Sequence, residues 1–263
     1  MCLHGFLDTW RTWELVLPAL EQRYEVLAPT LPGHAGGPAL PDPLHGDAML
    51  ALVERVLDDA GIERAHIVGN SLGGFLALRL AARGRAESVV AFAPAGGWAE
   101  GDDSWVEMIE GQRDLQQSLV ALLPQVEAIL ATPEGRRRAT ELVTERYEHI
   151  PVELLDHQVR GAALCAAAPL VSLALREGWT LDAGRIDCPV RIVWGASDRV
   201  LPWPAAAARY RRQWLPHADW VLLDGVGHAP QLDVPLEAAE LVIGFTRWQR
   251  RPARSAEPHG CNA

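Results

Sequence analysis

Residues Gly69-Asn70-Ser71-Leu72-Gly73-Gly74 lie between an apolar run at 65–68 and a stretch of helical spacing that opens at Leu72. A serine in a turn between strand and helix needs small neighbours, because the chain reverses so tightly that a side chain on either flank would collide. Glycines at 69 and 73 meet that demand, and the serine Oγ is lifted clear of the sheet. The five-residue pattern alone also occurs where a glycine-rich loop packs a helix on a strand. The strand before it and the helix after it are what point to a nucleophile.

A serine hydroxyl is inert at neutral pH without a base and a group to orient that base. Of the nine histidines, His228 stands apart in Gly225-Val226-Gly227-His228-Ala229-Pro230, directly after an apolar run at 220–223. Loops at the carboxyl ends of parallel strands are where open α/β sheets build their sites. The acid is expected from another strand end. Asp198 follows the run 190–194 in Gly195-Ala196-Ser197-Asp198-Arg199, whereas Pro94-Ala95-Gly96-Gly97 offers no carboxylate. Asp224 reads as a strand-end residue only.

Outward from these motifs the chain alternates short apolar runs with helical patterns. Trp10, Trp13, Leu17 and Leu20 recur at helical spacing behind Asp8-Thr9, a capping pair. Residues 24–28 read as a strand, and Leu50, Val53, Leu57 and Ala60 as an amphipathic helix stopped by Gly61. Residues 88–93 are apolar throughout, as in a strand buried on both faces. Between 98 and 187 there is no β-like run, only helical ones such as 115–130, 136–147 and 152–164. Alternation then returns, with a helix expected at 204–214 and another at 236–248. This predicts an α/β fold, a mostly parallel sheet flanked by helices. The organisation expected is a core at 1–97 and 188–250, a helical cap insertion at 98–187, and a disordered tail at 251–263.

Composition narrows the function. The 263 residues are 49% hydrophobic and 22% charged, an ordinary globular balance. The formal charge of −10 should repel phosphate backbones, so no nucleic-acid partner is expected. All 24 basic residues are arginine, which excludes a lysine nucleophile or Schiff base. No apolar run reaches the roughly 18 residues of a membrane helix, and no signal peptide is expected. The four cysteines form no close pair and read as reduced thiols, which points to a cytoplasmic location. No cofactor or metal is expected.

The order Ser71, Asp198, His228 resembles the triad of the α/β-hydrolase superfamily. Leu31-Pro32-Gly33-His34-Ala35 and the Gly225 to Pro230 loop add to the resemblance, which runs from His4 to about Arg250. A tetrahedral intermediate needs donors for its oxyanion. One is expected from the N–H of Leu72, at the positive end of its helix. His4-Gly5-Phe6 resembles the family's oxyanion loop, which implies Phe6 N–H as the second. Family members carry about two further strands before that loop, whereas Met1-Cys2-Leu3 alone precede it here. The expectation is therefore a fold whose first strands are missing and whose true start lies upstream.

The function implied is a serine hydrolase that cleaves a small or medium apolar ester or lactone through an acyl-enzyme, with the cap shaping the substrate pocket. A haloalkane dehalogenase or epoxide hydrolase would carry aspartate where Ser71 stands. Hydrolysis of C–C bonds in ring-fission diketones is the second reading, since Gly69-Asn70-Ser71 resembles those enzymes too. They tend to carry tryptophan after the histidine, where Ala229 stands here. A non-catalytic ligand-binding receptor is the third. The expected partner is a small apolar molecule, with no membrane.

Overall fold

The computed structural model describes residues 1–249; the expected tail at 251–263 falls outside them. Five strands, β1 (Cys2–Leu3), β2 (Ala65–Asn70), β3 (Ala86–Phe92), β4 (Val190–Gly195) and β5 (Asp219–Leu223), form one sheet in the order β1-β2-β3-β4-β5. Every pairing is parallel. The helices are α1 (Leu17–Leu20), α2 (Gly46–Asp59), α3 (Leu72–Ala82), α4 (Ser104–Leu122), α5 (Val126–Leu130), α6 (Pro133–Thr140), α7 (Val152–Ala163), α8 (Ala167–Glu177), α9 (Pro230–Asp233) and α10 (Pro235–Gln249).

The period of two along the strands sorts their side chains into two cores. Ile67, Val89, Ala91, Ile192 and Trp194 face one way and pack against Leu50, Val53 and Leu57 of α2 and the buried side of α3. Their neighbours Val68, Val90, Phe92 and Val193 face the other way, onto Trp13, Leu20 and Ala238, Val242 and Phe245 of α10. Both faces of the central strands are thus dry, which is why 89–93, behind Ser88, reads as unbroken apolar sequence. Trp13 and Phe92 are fully buried and their rings stand 6.2 Å apart. Truncating either to alanine should cost about 3–5 kcal/mol.

The helix α2 shows how local sequence sets an element. His45 caps it, its Nδ1 accepting the Ala48 N–H at 3.1 Å, and Asp47 sits in the first turn, where the helix dipole favours a carboxylate. Met49, Leu50, Val53 and Leu57 form its buried stripe.

Three segments differ from expectation. Residues 24–28 form no strand: the Cys2 N–H reaches the Leu27 carbonyl at 2.7 Å, but β1 offers only two residues to pair with. The helix expected at 136–147 stops at Thr140, because Asp233 captures the Glu145 and Arg146 N–H groups that would have continued it. Residues 204–214 hold a 3-10 turn (Ala205–Ala207) and a π turn (Tyr210–Trp214) rather than one α-helix. There the Arg209 N–H goes to the Gly97 carbonyl at 2.7 Å, and the Tyr210 hydroxyl donates to the Ala95 carbonyl at 2.6 Å.

The segment 98–187 carries α4 to α8 between β3 and β4 and sits beyond the carboxyl ends of the strands. Its leucines and valines (Val126, Leu130, Leu154, Leu155) pack on Ala229 and Leu232. Among the described residues no single helix is long and apolar enough to cross a membrane.

Candidate active site

Each residue singled out above follows the carboxyl end of a strand. Ser71 stands between β2 and α3 with φ 55 and ψ −118, a backbone state that costs a serine on the order of 1–3 kcal/mol. Its surroundings enforce it. The Ser71 N–H donates to the Phe92 carbonyl at 2.9 Å, and the Ser71 carbonyl accepts from Phe75 at 3.0 Å and Ala95 at 3.1 Å. A Cβ on Gly69 would strike the backbone of Gly73, and one on Gly73 would strike the carbonyls of Leu3 and His4. The two glycines are therefore demanded by close approach of helix to sheet, as the turn requires.

His228 and Asp198 are both buried. His228 Nδ1 and Asp198 Oδ2 are 2.8 Å apart. The other oxygen, Oδ1, accepts from the N–H groups of Val200 at 2.9 Å and Leu201 at 2.7 Å. Both carboxylate oxygens are thus fixed, and with them the plane of the imidazole. Asp224, by contrast, is exposed.

The His4-Gly5-Phe6 loop is held by its own histidine. The Leu31 N–H donates to His4 Nε2 at 2.8 Å, so that nitrogen must be the acceptor. The proton then sits on Nδ1, which donates to the Gly5 carbonyl at 2.7 Å. Burial, together with the neighbouring His34, keeps His4 well below the usual imidazole range and so in this neutral form. A Cβ on Gly5 would stand 3.3 Å from the Ser71 Cβ, so the Gly5-Phe6 peptide is packed on the serine. Leu72 is the first residue of α3, and its N–H belongs to the set a helix leaves without an internal partner.

Two polar clusters behind these residues were not legible in the sequence. Asn70 Nδ2 donates to the His228 carbonyl at 2.9 Å and the Phe92 carbonyl at 3.2 Å. Its Oδ1 accepts from Gln231 Nε2 at 3.2 Å, which also donates to Thr12 Oγ1 at 3.1 Å. Asp233 is buried and accepts three backbone N–H groups, from Gly227 at 2.6 Å, Glu145 at 3.0 Å and Arg146 at 2.8 Å. The Ala229 N–H donates to the Val143 carbonyl at 2.9 Å. Spacing gives no hint of these pairings, since the partners lie up to 219 residues apart.

Ser71, His228, Leu72 and Phe6 all line one cavity of about 560 Å³, a size suited to a small organic ligand. Phe75 and Leu76 of α3 continue its floor. Met108, Ile109 and Leu115 of α4 and Leu170 and Leu173 of α8 close it from above. Among the described residues no three His, Cys, Asp or Glu side chains gather as a metal site. A serine hydroxyl and an imidazole held by a buried carboxylate thus share one cavity with the first residue of α3 and the Gly5-Phe6 loop.

Comparison with known proteins bears on the family and the fold. The sequence profile described as "Alpha/beta hydrolase family" matches residues 1–241. Epoxide hydrolase EphH of Mycobacterium tuberculosis is 36% identical over 213 residues, 73% of this chain and 91% of that protein. The pimeloyl-[acyl-carrier protein] methyl ester esterase of Aromatoleum aromaticum is 30% identical over 263 residues, 93% of this chain and 96% of that protein. A crystal structure described as a membrane phospholipase A superposes with a TM-score of 0.73 at 23% identity, covering 95% of this chain and 79% of that one. That last likeness is one of fold.

Proposed function

This chain belongs to the alpha/beta hydrolase family and is a hydrolase, and from that premise we propose that it cleaves small or medium apolar carboxylic esters through an acyl-enzyme on Ser71. In this reading Ser71 Oγ attacks the ester carbonyl while His228 Nε2 takes its proton. Asp198 holds the imidazole by Nδ1 and stabilises the imidazolium that forms. The oxyanion is received by the N–H groups of Phe6 and Leu72. Collapse of the tetrahedral adduct expels the alcohol, which carries off the proton from His228. Water, deprotonated in turn by His228, attacks the acyl-serine and releases the acid, so that ester and water become acid and alcohol.

The observation that carries this reading is the 2.8 Å contact of His228 Nδ1 with Asp198 Oδ2 on a cavity shared with a serine held at positive φ. The apolar walls and the modest volume favour short and medium acyl groups. The relative named as a methyl ester esterase supports ester cleavage. Another relative is named as an epoxide hydrolase, but opening an epoxide to an alkyl-enzyme calls for a carboxylate nucleophile, and position 71 is serine.

The test is a fluorophosphonate label combined with turnover of p-nitrophenyl acetate and butyrate, a lactone, a ring-fission dienone and styrene oxide. Labelling of Ser71 with hydrolysis of the short esters is expected. Absence of label together with conversion of the epoxide alone would overturn the reading, and conversion of the dienone alone would move it to C–C cleavage.

A further inference from the structure

The cavity does not end in apolar wall. Its floor is one stripe of α3: Ser71, Leu72, Phe75, Leu76 and Arg79 all line it, and residues spaced by four recur on the same face of a helix. Ser71 and Arg79 stand at the two ends of this stripe, their backbones about 12 Å apart along the helix axis at 1.5 Å per residue, and the Arg79 guanidinium reaches back to 5.8 Å from the centre of the Phe75 ring.

The far end is built around the Arg79 guanidinium, whose side chain is 21% exposed. Only its NH2 is engaged by a carboxylate, Asp47 Oδ1 at 2.8 Å. That same oxygen also receives Arg83 NH2 at 2.6 Å, so one carboxylate oxygen serves two guanidinium groups. The side chain of Asp47 is 65% exposed, and an ion pair of that kind is weak and easily displaced. The backbone leaves the guanidinium room. A Cβ on Gly46 would stand 3.1 Å from Arg79 NH1 and 2.9 Å from Glu177 Oε2. Glu177 faces the same end, but its Oε2 already accepts the Gly46 N–H at 2.9 Å and its Oε1 lies 3.5 Å from Arg176. His45 is turned to the Ala48 N–H. Two carboxylates of the chain itself, Asp47 and Glu177, thus occupy this end, beside the positive pole of α2.

We propose that this cavity is a slot laid along α3 whose far end reads an anion, so that it takes esters whose acyl chain carries a terminal carboxylate and is long enough to reach Arg79 from the bond cleaved at Ser71. The inference rests on the ester-hydrolase reading. The substrate carboxylate displaces Asp47 from Arg79 and forms the charge-assisted, two-pronged contact that a guanidinium fork offers. The apolar middle of the slot, Phe75 and Leu76 below and Ile109 and Leu173 above, covers the methylene chain between.

The experiment compares monomethyl esters of dicarboxylic acids, from succinate to sebacate, with dimethyl esters of the same acids. The ratio of kcat/KM for half-ester over diester should be flat for the short members and rise for the long ones. Arg79→Gln should lower that ratio about tenfold, the loss expected of a charge-assisted contact, and Arg79→Lys should restore part of it. Asp47→Asn should raise the ratio, because it removes the competing carboxylate. A purely structural Arg79–Asp47 pair would instead make both substitutions act in the same direction. Calorimetric titration of Ser71→Ala protein, with and without Arg79→Gln, reads the same preference as binding. If no ester is hydrolysed but long half-esters still bind over diesters through Arg79, the ester-hydrolase reading fails and the subsite stands. If half-esters and diesters bind and react alike at every length, or Arg79→Gln leaves the ratio unchanged, the subsite is overturned.

Discussion

The side-chain amide of Asn70 donates to the backbone carbonyl of His228 at 2.9 Å, which ties the residue before the proposed nucleophile directly to the proposed base. The bond is buried and its other members, Gln231 and Thr12, are buried too. An amide in such a place is costly to remove, because the carbonyl it served is left unpaired. Asn70→Ala should therefore lower kcat more than it raises KM, with a loss of about 1–3 kcal/mol in folding stability. Steady-state kinetics beside urea melts would show it; a variant that loses stability at unchanged kcat would make the network merely structural.

Ser71→Ala should abolish ester hydrolysis, with a loss on the order of 10⁴-fold or more, while circular dichroism stays native. The substitution also relieves nothing of the positive φ, so stability should change little. Residual turnover in protein free of wild-type enzyme would remove Ser71 from the mechanism.

Asp198→Asn should reduce kcat by about 10⁴-fold, the loss seen when the base is held in the wrong tautomer, and Asp224→Asn should be near neutral. Asp198 has His228, Val200 and Leu201 as partners, whereas Asp224 is exposed. A more damaging Asp224 variant would reassign the acid.

Acid should destabilise this protein through its buried imidazoles. Burial pushes His34 down from 6.5 to about 4, so between those values the unfolded chain holds a proton that the folded one lacks. Stability is then full above pH 6.5 and falls as pH drops towards 4, by up to about 3 kcal/mol. Asp8 opposes this: burial raises it from 3.8 to about 6, so its contribution is lost as pH rises through that window. His34→Gln should flatten the fall in Tm between pH 6.5 and 4.5, and Asp8→Asn should steepen it. Parallel pH profiles for all three proteins would contradict both assignments.

Not every glycine is demanded by the fold. Gly244 lies inside α10 with nothing within 4 Å of an added Cβ, so Gly244→Ala should stabilise by about 0.5–1 kcal/mol. Gly73→Ala, which would press on the Leu3 and His4 carbonyls, should destabilise by about 1–3 kcal/mol or more and distort the serine turn. Urea midpoints decide between them.

Short-range rules carried the reading of the sequence a long way. A tight turn needs small flanks, and strand ends carry sites, so the glycines around Ser71 and His228 are legible in the sequence. Long-range polar pairing was not. The helix expected at 136–147 has ample local propensity, yet Asp233, nearly a hundred positions later, takes two of its N–H groups. His4 was legible as part of an oxyanion loop, but not as the clasp joining that loop to Leu31. Nothing in the spacing singles out Arg79, and only the cavity shows which way it faces.

The carboxylate of Asp233 grips Gly227, the residue before the proposed base, and at the same time Glu145 and Arg146 of the segment overhead. Prising the roof open at this corner would release the histidine loop in the same movement and disarm the enzyme while its door stood ajar.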